Sequence, residues 1–271
     1  MRLLKKTPEK LCDNLFLVGS STKSHPYDCS VYAVINDNSV VLIDCGTPQG
    51  LDKIIDNLQS IGVNPANVCL IIGTHCHYDH IGSAGEFIRR FKNAKLALHI
   101  DDAIAVQNGD SEVTCADWLF DSFFDSISVD IKLTDGEILD FGGFEFKINH
   151  MPGHSPGSIT IETCVGSNKV VFTGDSYIPS CDKVGYDFEN LVETWRKLIT
   201  TDADVVCPGH EFHSYSDPIV LAMMGILPTS LFNPFLSKPS ILKPVASASS
   251  FYYENMGRMI KPFRELISNL F

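Results

Sequence analysis

The chain has 271 residues, of which 44% are hydrophobic and 20% are charged, proportions ordinary for a globular enzyme with one large core. Acidic residues outnumber basic ones by 33 to 21, a net charge of −12. This balance disfavours a nucleic-acid partner, which normally binds a face rich in Lys and Arg.

The nine cysteines form no C-x-x-C pair, and their odd number argues against a disulfide framework. The longest apolar run, Ile219 to Leu227, is about half of a membrane span, and no apolar leader follows the basic N-terminus. We therefore predict a cytoplasmic protein with a small-molecule substrate and no membrane partner.

The first half of the chain alternates short apolar runs with segments of helical spacing. Strands are predicted over 14–18, 29–36, 39–45, 68–73 and 95–99. Helices are predicted over 49–61 and 82–93, where apolar residues recur three and four positions apart. Residues 101–125 also have helix-like patterning, which predicts a helix packed on the core. The alternative is an insertion that covers the mouth of an active site and selects the substrate.

The second half repeats the pattern, with strands predicted over 129–133, 137–141, 143–149, 158–164, 169–173 and 204–207, and a helix over 188–198. Two strand-rich halves of this kind predict an α/β fold of stacked sheets with helices on the outer faces. From 216 onward the chain is apolar and punctuated by prolines, and it ends in an amphipathic stripe. We predict a catalytic domain over 1–215 and a C-terminal helical extension over 216–271 packed on the core. A dimer contact, hence a homodimer, or a substrate cap is the alternative for this extension.

Four potential metal ligands lie within six residues directly after the predicted strand 68–73, in the pattern HxHxDH. His75 and His77 are two apart, so on an extended segment their side chains point the same way. Asp79 and His80 follow on a turn, and we expect them to project toward a neighbouring point. A single histidine in such a loop is usually a solvated surface residue, but this spacing indicates two adjacent metal sites.

Three later segments each end a strand-like run in a polar residue flanked by glycine. They are Gly153-His154-Ser155-Pro156-Gly157, Gly174-Asp175 and Gly209-His210. Each alone indicates only a turn. Together with HxHxDH they supply five histidines and two aspartates at strand ends, and strand ends can converge at one edge of a layered sheet.

These motifs, in this order, resemble the metallo-β-lactamase superfamily, and more closely its glyoxalase II-like hydrolase branch. The resemblance runs from about residue 14 to residue 212 and includes GHSPGS, PGHE and the stretch Asp44-Cys45-Gly46-Thr47. It implies a four-layer αβ/βα sandwich in which Asp44 buttresses the site.

The resemblance also implies two divalent metal ions held by seven residues: His75, His77 and His154 for the first, Asp79, His80 and His210 for the second, and Asp175 bridging both. Imidazoles and carboxylates are good zinc ligands, although iron and manganese tolerate the same set. Bound water would then ionise at roughly neutral pH, so a metal-bridging hydroxide is the implied nucleophile and Asp79 the implied catalytic residue.

Thioester or lactone-type carbonyls are the substrates that the resemblance favours. Flavin-linked diiron reductases of the superfamily tend to carry Glu at the position of His77, and two-zinc class B β-lactamases usually carry Cys at that of Asp175. The basic residues of the C-terminal extension show no clear pairing of the kind that glyoxalase II uses for glutathione: Lys238, Lys243, Arg258, Lys261 and Arg264.

The alternatives are a persulfide dioxygenase, which holds one iron with two His and one Asp, phosphodiester hydrolysis, and a non-catalytic interaction domain stabilised by metal. Tyr177, His25 and Tyr27 are candidate substrate contacts, with a structural or rim position as the alternative for each. His99, at the end of a predicted strand, is interpreted as structural or facing solvent.

Overall fold

The computed structural model describes residues 7–198 and 200–210. Its twelve strands are β1 Glu9–Cys12, β2 Leu15–Gly19, β3 Val31–Asn36, β4 Ser39–Ile43, β5 Val68–Ile72, β6 Lys95–His99, β7 Ile131–Leu133, β8 Ile138–Phe141, β9 Phe144–His150, β10 Ile159–Val165, β11 Asn168–Gly174 and β12 Val205–Pro208. Its α-helices are α1 Leu51–Ser60, α2 Tyr78–Ile81, α3 Ala84–Arg90, α4 Ile100–Asn108 and α5 Phe188–Leu198. Short 3₁₀ turns occupy Pro65–Asn67 and Asp182–Val184. No helix in these ranges combines the length and apolar character needed to cross a bilayer.

The strands form two sheets. The first has seven strands in chain order, β1 to β7, antiparallel up to β4 and parallel from β4 to β7. The second has five strands in the order β12-β11-β10-β9-β8, in which only the pair β11 and β12 is parallel. Each half therefore presents the carboxyl ends of parallel strands at one edge.

Alternation along the strands explains how the layers stack. In β4, Val41 and Ile43 pack with Phe146 and Phe172 in the core between the sheets, whereas Leu42 packs on the opposite face in the cluster shared with α1 and α3. Successive side chains of a strand point to opposite faces, so a strand buried on both sides must be apolar throughout. On the outer face of the second sheet, α5 completes a separate cluster. The order is helix, sheet, sheet, helix, which confirms the predicted four-layer sandwich.

Two predicted elements differ from the structure. Residues 101–125 form a helix only as far as Asn108, because Gly109 takes a left-handed conformation (φ +66°) that ends α4. The rest is a series of turns in which Cys115 and Asp121 also have positive φ values, so the predicted long helix is wrong. The predicted helix over 82–93 is shorter than expected, because α2 precedes it and α3 ends at Arg90. The C-terminal extension lies outside the described residues, and its packing stays a prediction.

Candidate metal centre

The seven predicted ligands are brought together, all of them buried. His75 and His77 follow β5, and Asp79 and His80 lie on α2. The remaining three come from the second half of the chain: His154 in the turn after β9, Asp175 directly after β11 and His210 two residues after β12. Backbone hydrogen bonds join the two edges, among them Ser30 N–H to Gly209 O at 2.7 Å and Ile159 N–H to Thr74 O at 3.0 Å.

Three imidazoles converge in what we call the three-imidazole cluster (His75, His77 and His154). The Nδ1 atom of His77 lies 3.0 Å from Nε2 of His75 and 3.0 Å from Nε2 of His154. Tetrahedral zinc with nitrogens at about 2.0–2.1 Å would separate its ligand atoms by about 3.3–3.4 Å. The two separations are thus slightly shorter than those between ligands of one zinc ion, and the ligand atoms of all three rings lie within 4.8 Å of one another.

Two of these rings, those of His75 and His154, are oriented by hydrogen bonds at the nitrogen that faces away from the cluster. His154 donates its Nδ1–H to the carbonyl of Ile178 at 2.7 Å, which leaves the Nε2 lone pair facing the cluster. Thr74 donates its hydroxyl to Asp44 at 2.9 Å, so it accepts from Nδ1–H of His75 at 3.1 Å. Such partners fix the tautomer and direction of a ligating histidine.

The second group, the mixed cluster (Asp79, His80 and His210), combines a carboxylate with two imidazoles. Nε2 of His210 lies 3.4 Å from Oδ2 of Asp79, and Nε2 of His80 lies 3.7 Å from the same oxygen. His80 donates Nδ1–H to Oδ2 of Asp44 at 2.8 Å, and Asp44 Oδ1 accepts the Thr74 N–H at 2.8 Å. The prediction that Asp44 buttresses the site is therefore confirmed.

Asp175 lies between the two clusters. Its Oδ2 atom is 3.2 Å from Nε2 of His210, 3.5 Å from Nε2 of His80 and 3.8 Å from Nε2 of His154. One carboxylate oxygen is therefore adjacent to both groups of ligands.

The electrostatics of the two clusters differ. Burial lowers the pKa of all three histidines of the three-imidazole cluster, that of His77 to about 3, and repulsion from neighbouring imidazoles adds to the effect at His75 and His77. In the mixed cluster burial opposes the charged imidazoles, but neighbouring acidic groups outweigh it. The pKa of His210 rises to about 9 and that of His80 rises well above its ordinary value. Burial likewise opposes ionisation of Asp79 and Asp175, yet the nearby imidazoles hold both pKa values below the usual range.

Buried atoms without partners show that cations fit this arrangement. Within the described residues, Nε2 of His80 and Oδ1 of Asp175 are buried and have no hydrogen-bond partner. Burying such a group unpaired costs free energy, and a cation would compensate for that cost at both atoms. Nε2 of His77 is also without a partner, and no described residue accounts for it. The His and Asp clusters are therefore able to hold divalent metal ions.

Glycine is required where the backbone meets the ligands. A Cβ atom on Gly209 would lie 2.0 Å from Oδ1 of Asp175. Gly174 has φ +47°, and a Cβ there would lie 2.5 Å from the Thr74 hydroxyl. These contacts explain why glycine precedes Asp175 and His210 in the sequence.

The predicted substrate contacts lie outside both clusters. Tyr177 is 2% exposed and packs in the cluster beneath α5, which favours its structural alternative. The rings of His25 and Tyr27 meet edge to face at 5.0 Å, and Tyr27 contacts Phe120 of the turn-rich segment. His99 is buried and stacks on His150 at 4.0 Å, so its structural interpretation is confirmed and its solvent-facing alternative is wrong. Near-parallel rings, here 14° apart, direct their in-plane lone pairs side by side rather than toward one ion.

Sequence reasoning missed two buried carboxylates outside the ligand set, Asp28 and Asp102. Asp28 accepts hydrogen bonds from the backbone and side chain of Thr47 and from the Ser24 hydroxyl. Asp102 accepts hydrogen bonds from Cys76, Ser155 and Gly157. The partners of Asp102 all come from distant parts of the chain, and Asp28 combines the nearby Ser24 with the distant Thr47, so neither carboxylate carries a spacing signal.

Two facing His and Asp clusters at one edge of an αβ/βα sandwich are typical of a metal-dependent hydrolase. The model of the metallo-beta-lactamase superfamily matches residues 26–210, most of the described chain. The chain belongs to the metallo-β-lactamase superfamily, whose enzymes act on small-molecule substrates.

The matches to two curated relatives span about four-fifths of each relative's length. The acyl-coenzyme A thioesterase MBLAC2 of Bos taurus is 27% identical over 237 residues, covering 74% of this chain and 80% of that protein. The hydroxyacylglutathione hydrolase GloC of Haemophilus influenzae is 28% identical over 193 residues, covering 65% and 81%. Among solved structures, the subclass B3 metallo-beta-lactamase BJP-1 of Bradyrhizobium japonicum has a TM-score of 0.66 at 20% identity, covering 100% of this chain and 97% of that one. An identity this low shows the shared fold alone.

Proposed function

We propose that the chain is a binuclear metal-dependent hydrolase that cleaves a thioester, with zinc as the resident ion. The observation that carries this proposal is the position of Asp175, whose Oδ2 lies 3.8 Å from Nε2 of His154 and 3.2 Å from Nε2 of His210. The ions of two-metal sites lie ~3.5–4 Å apart, a distance that one carboxylate bridges. In this assignment the three-imidazole cluster would hold one ion and the mixed cluster the other, and Asp175 would contribute to both.

When bound, two such ions polarise a substrate carbonyl and lower the pKa of a bound water to roughly 7. Hydrogen bonds within the protein already orient the predicted ligands for metal binding. His75 and His154 present neutral Nε2 atoms because their Nδ1–H groups are committed to Thr74 and Ile178. Asp79 stays ionised at neutral pH, since nearby imidazoles lower its pKa against the effect of burial. Its proposed catalytic role is to accept a hydrogen bond from the attacking water and hold that water toward the carbonyl.

We choose a thioester over a lactone because of two relatives, each matched by this chain over about four-fifths of its length. Their names describe an acyl-coenzyme A thioesterase and a hydroxyacylglutathione hydrolase, and both activities release an acyl group from a carrier. All nine cysteines are free thiols. This supports a reducing compartment, which we propose to be the cytoplasm.

The test is an activity panel on purified protein with its own metal. Acyl-coenzyme A thioesters of several chain lengths, a hydroxyacylglutathione, a lactone and a phosphodiester are compared, and the metal content of the same sample is measured. We expect hydrolysis of at least one thioester with about two ions per chain.

Three other results would each contradict the proposal. Turnover confined to the phosphodiester would reassign the substrate class. A single iron with oxygen uptake on a glutathione persulfide would identify the dioxygenase alternative. No turnover on any member of the panel, with metal bound, would favour a non-catalytic domain.

A further inference from the structure

Asp102 is a buried carboxylate that binds neither cluster directly. Asp102 lies in the first turn of α4 and is only 1% exposed to solvent. Its Oδ2 accepts the Cys76 N–H at 2.9 Å and the Ser155 hydroxyl at 2.7 Å, and its Oδ1 accepts the Gly157 N–H at 2.7 Å. One side chain therefore joins two loops that lie far apart in the sequence and belong to different sheets.

Both loops carry ligands of the three-imidazole cluster. Cys76 stands between His75 and His77, and Ser155 directly follows His154. The three hydrogen bonds that Asp102 accepts therefore hold the loop of His75 and His77 and the loop of His154 at a fixed separation. Small displacements matter there, because the ring nitrogens are only 3.0 Å apart.

The local sequence accommodates this carboxylate closely. A Cβ on Gly157 would lie 2.6 Å from Cγ of Asp102, so only glycine lets the loop come near enough. The Ser155 hydroxyl also lies 2.8 Å from the Ser158 hydroxyl, and the latter accepts the Ser155 N–H at 3.0 Å. All three direct partners of Asp102 supply N–H or O–H groups, and an ionised carboxylate offers only acceptors, so donors and acceptors match. The motif around His154 is therefore shaped for Asp102 as well as for a metal ion.

We propose that Asp102 is a positioning residue for the three-imidazole cluster. It sets the separation of His75 and His77 from His154 and thereby the metal affinity of that cluster. The inference rests on the proposed two-metal function. Its counterpart is Asp44, which contacts His80 of the mixed cluster. Asp102 makes no hydrogen bond to a residue of the mixed cluster among the bonds identified in the described chain, so its loss should spare the second ion.

The test measures zinc affinity one cluster at a time, without any hydrolysis assay. In a His210→Ala background the mixed cluster is disabled, and titration of metal-free full-length protein against a chromophoric chelator reports the three-imidazole cluster. In a His77→Ala background the same titration reports the mixed cluster. Asp102→Asn keeps the shape of the side chain but turns a donor toward donors, so that at least one of the three hydrogen bonds is lost.

We expect Asp102→Asn to weaken zinc binding about 10–100-fold in the His210→Ala background, as the loss of a group that holds metal ligands in place commonly does. In the His77→Ala background we expect less than about threefold weakening. The Co²⁺ absorption spectrum should change in the first background and stay the same in the second. Asp101→Asn, the half-exposed neighbour on the same helix, is the matched control, and we expect it to leave both affinities within about twofold.

Circular dichroism of each metal-free variant checks the fold. If Asp102→Asn does not fold, Ser155→Ala removes one of the three hydrogen bonds to Asp102, together with the contact to the Ser158 hydroxyl. It should weaken zinc binding by the same cluster by about threefold to tenfold. A folded Asp102→Asn or Ser155→Ala protein with unchanged zinc affinity and Co²⁺ spectrum in the His210→Ala background would overturn the assignment. Equal weakening in both backgrounds would show a general structural role instead. Neither result depends on whether the substrate is a thioester.

Discussion

The two ligand clusters meet at one carboxylate but differ in charge. In the three-imidazole cluster, burial keeps His75, His77 and His154 neutral. A hydroxyl stands behind the ring of His75 and a backbone carbonyl behind that of His154. In the mixed cluster, a carboxylate stands among the ligands, and another, Asp44, stands behind His80. One edge of the fold therefore offers one set of neutral imidazoles and one set in which a carboxylate accompanies two imidazoles of raised pKa. Substitutions can separate the two sets, beginning with Asp175, which lies beside both.

Removing the shared carboxylate should have the largest effect. Asp175→Ala takes away the ligand adjacent to both clusters, so we expect loss of bound metal and a fall in hydrolysis by roughly a thousandfold or more. Metal content by mass spectrometry and steady-state turnover on the best thioester measure the two effects. A variant that kept about two ions per chain would show that Asp175 does not bridge.

Disabling one cluster at a time should separate them. We expect His77→Ala to lose the ion of the three-imidazole cluster and Asp79→Ala that of the mixed cluster, leaving about one ion in each variant and nearly no hydrolysis. Asp52→Ala is the control, because its exposed ion pair with Arg90 contributes little to stability. Full activity and unchanged metal content in either cluster variant would contradict the two-metal mechanism.

A methyl group beside Asp175 should displace it without removing a ligand. The Cβ of Gly209→Ala would lie 2.0 Å from Oδ1 of Asp175, and a misplacement of about 1 Å costs turnover up to about 100-fold. Gly166→Ala provides the contrast, because its site is open and its φ of +61° predicts only a stability loss of about 1 kcal/mol. Equal turnover in the two variants would argue against a precise position for Asp175.

The smallest effect on turnover is expected at Asp28, near the mixed cluster, where a substitution should change stability instead. Asp28 precedes Cys29, whose N–H donates to the carbonyl of Asp79 at 3.3 Å. Burial, with a smaller contribution from Asp79, raises the pKa of Asp28 to about 6 although Ser24 and Thr47 donate to it. Its protonated form is thus favoured by folding, and the associated stability is present below pH ~4 and is lost as the pH rises through about 6.

Asp28→Asn mimics the protonated form, so its stability relative to the parent should improve by up to about 3 kcal/mol between about pH 4 and about pH 7. Urea unfolding of the two metal-free proteins at both pH values gives this difference. If the difference in the free energy of unfolding between Asp28→Asn and the parent protein did not change with pH, the raised pKa of Asp28 would be contradicted.

Strand alternation and the positions of the seven predicted ligands could be expected from the sequence, because the strands and the polar residues at their ends follow local patterns. Valine and isoleucine runs predict β4 and β5, and polar residues after them predict the edge where ligands meet. The segment after Asn108 departs from prediction because Gly109 ends the helix, although apolar spacing continues through Phe124. Asp102 had no local signal at all, since its three partners are assembled only by the packing of the two sheets.

In the proposed reaction the two clusters act together on one substrate, and a zinc titration of metal-free protein tests this most directly. Thioester hydrolysis is measured against equivalents of zinc added per chain. We predict that hydrolysis rises until about two equivalents are bound and does not rise further. Full activity at one equivalent, or activity restored only by iron with consumption of oxygen, would contradict the account.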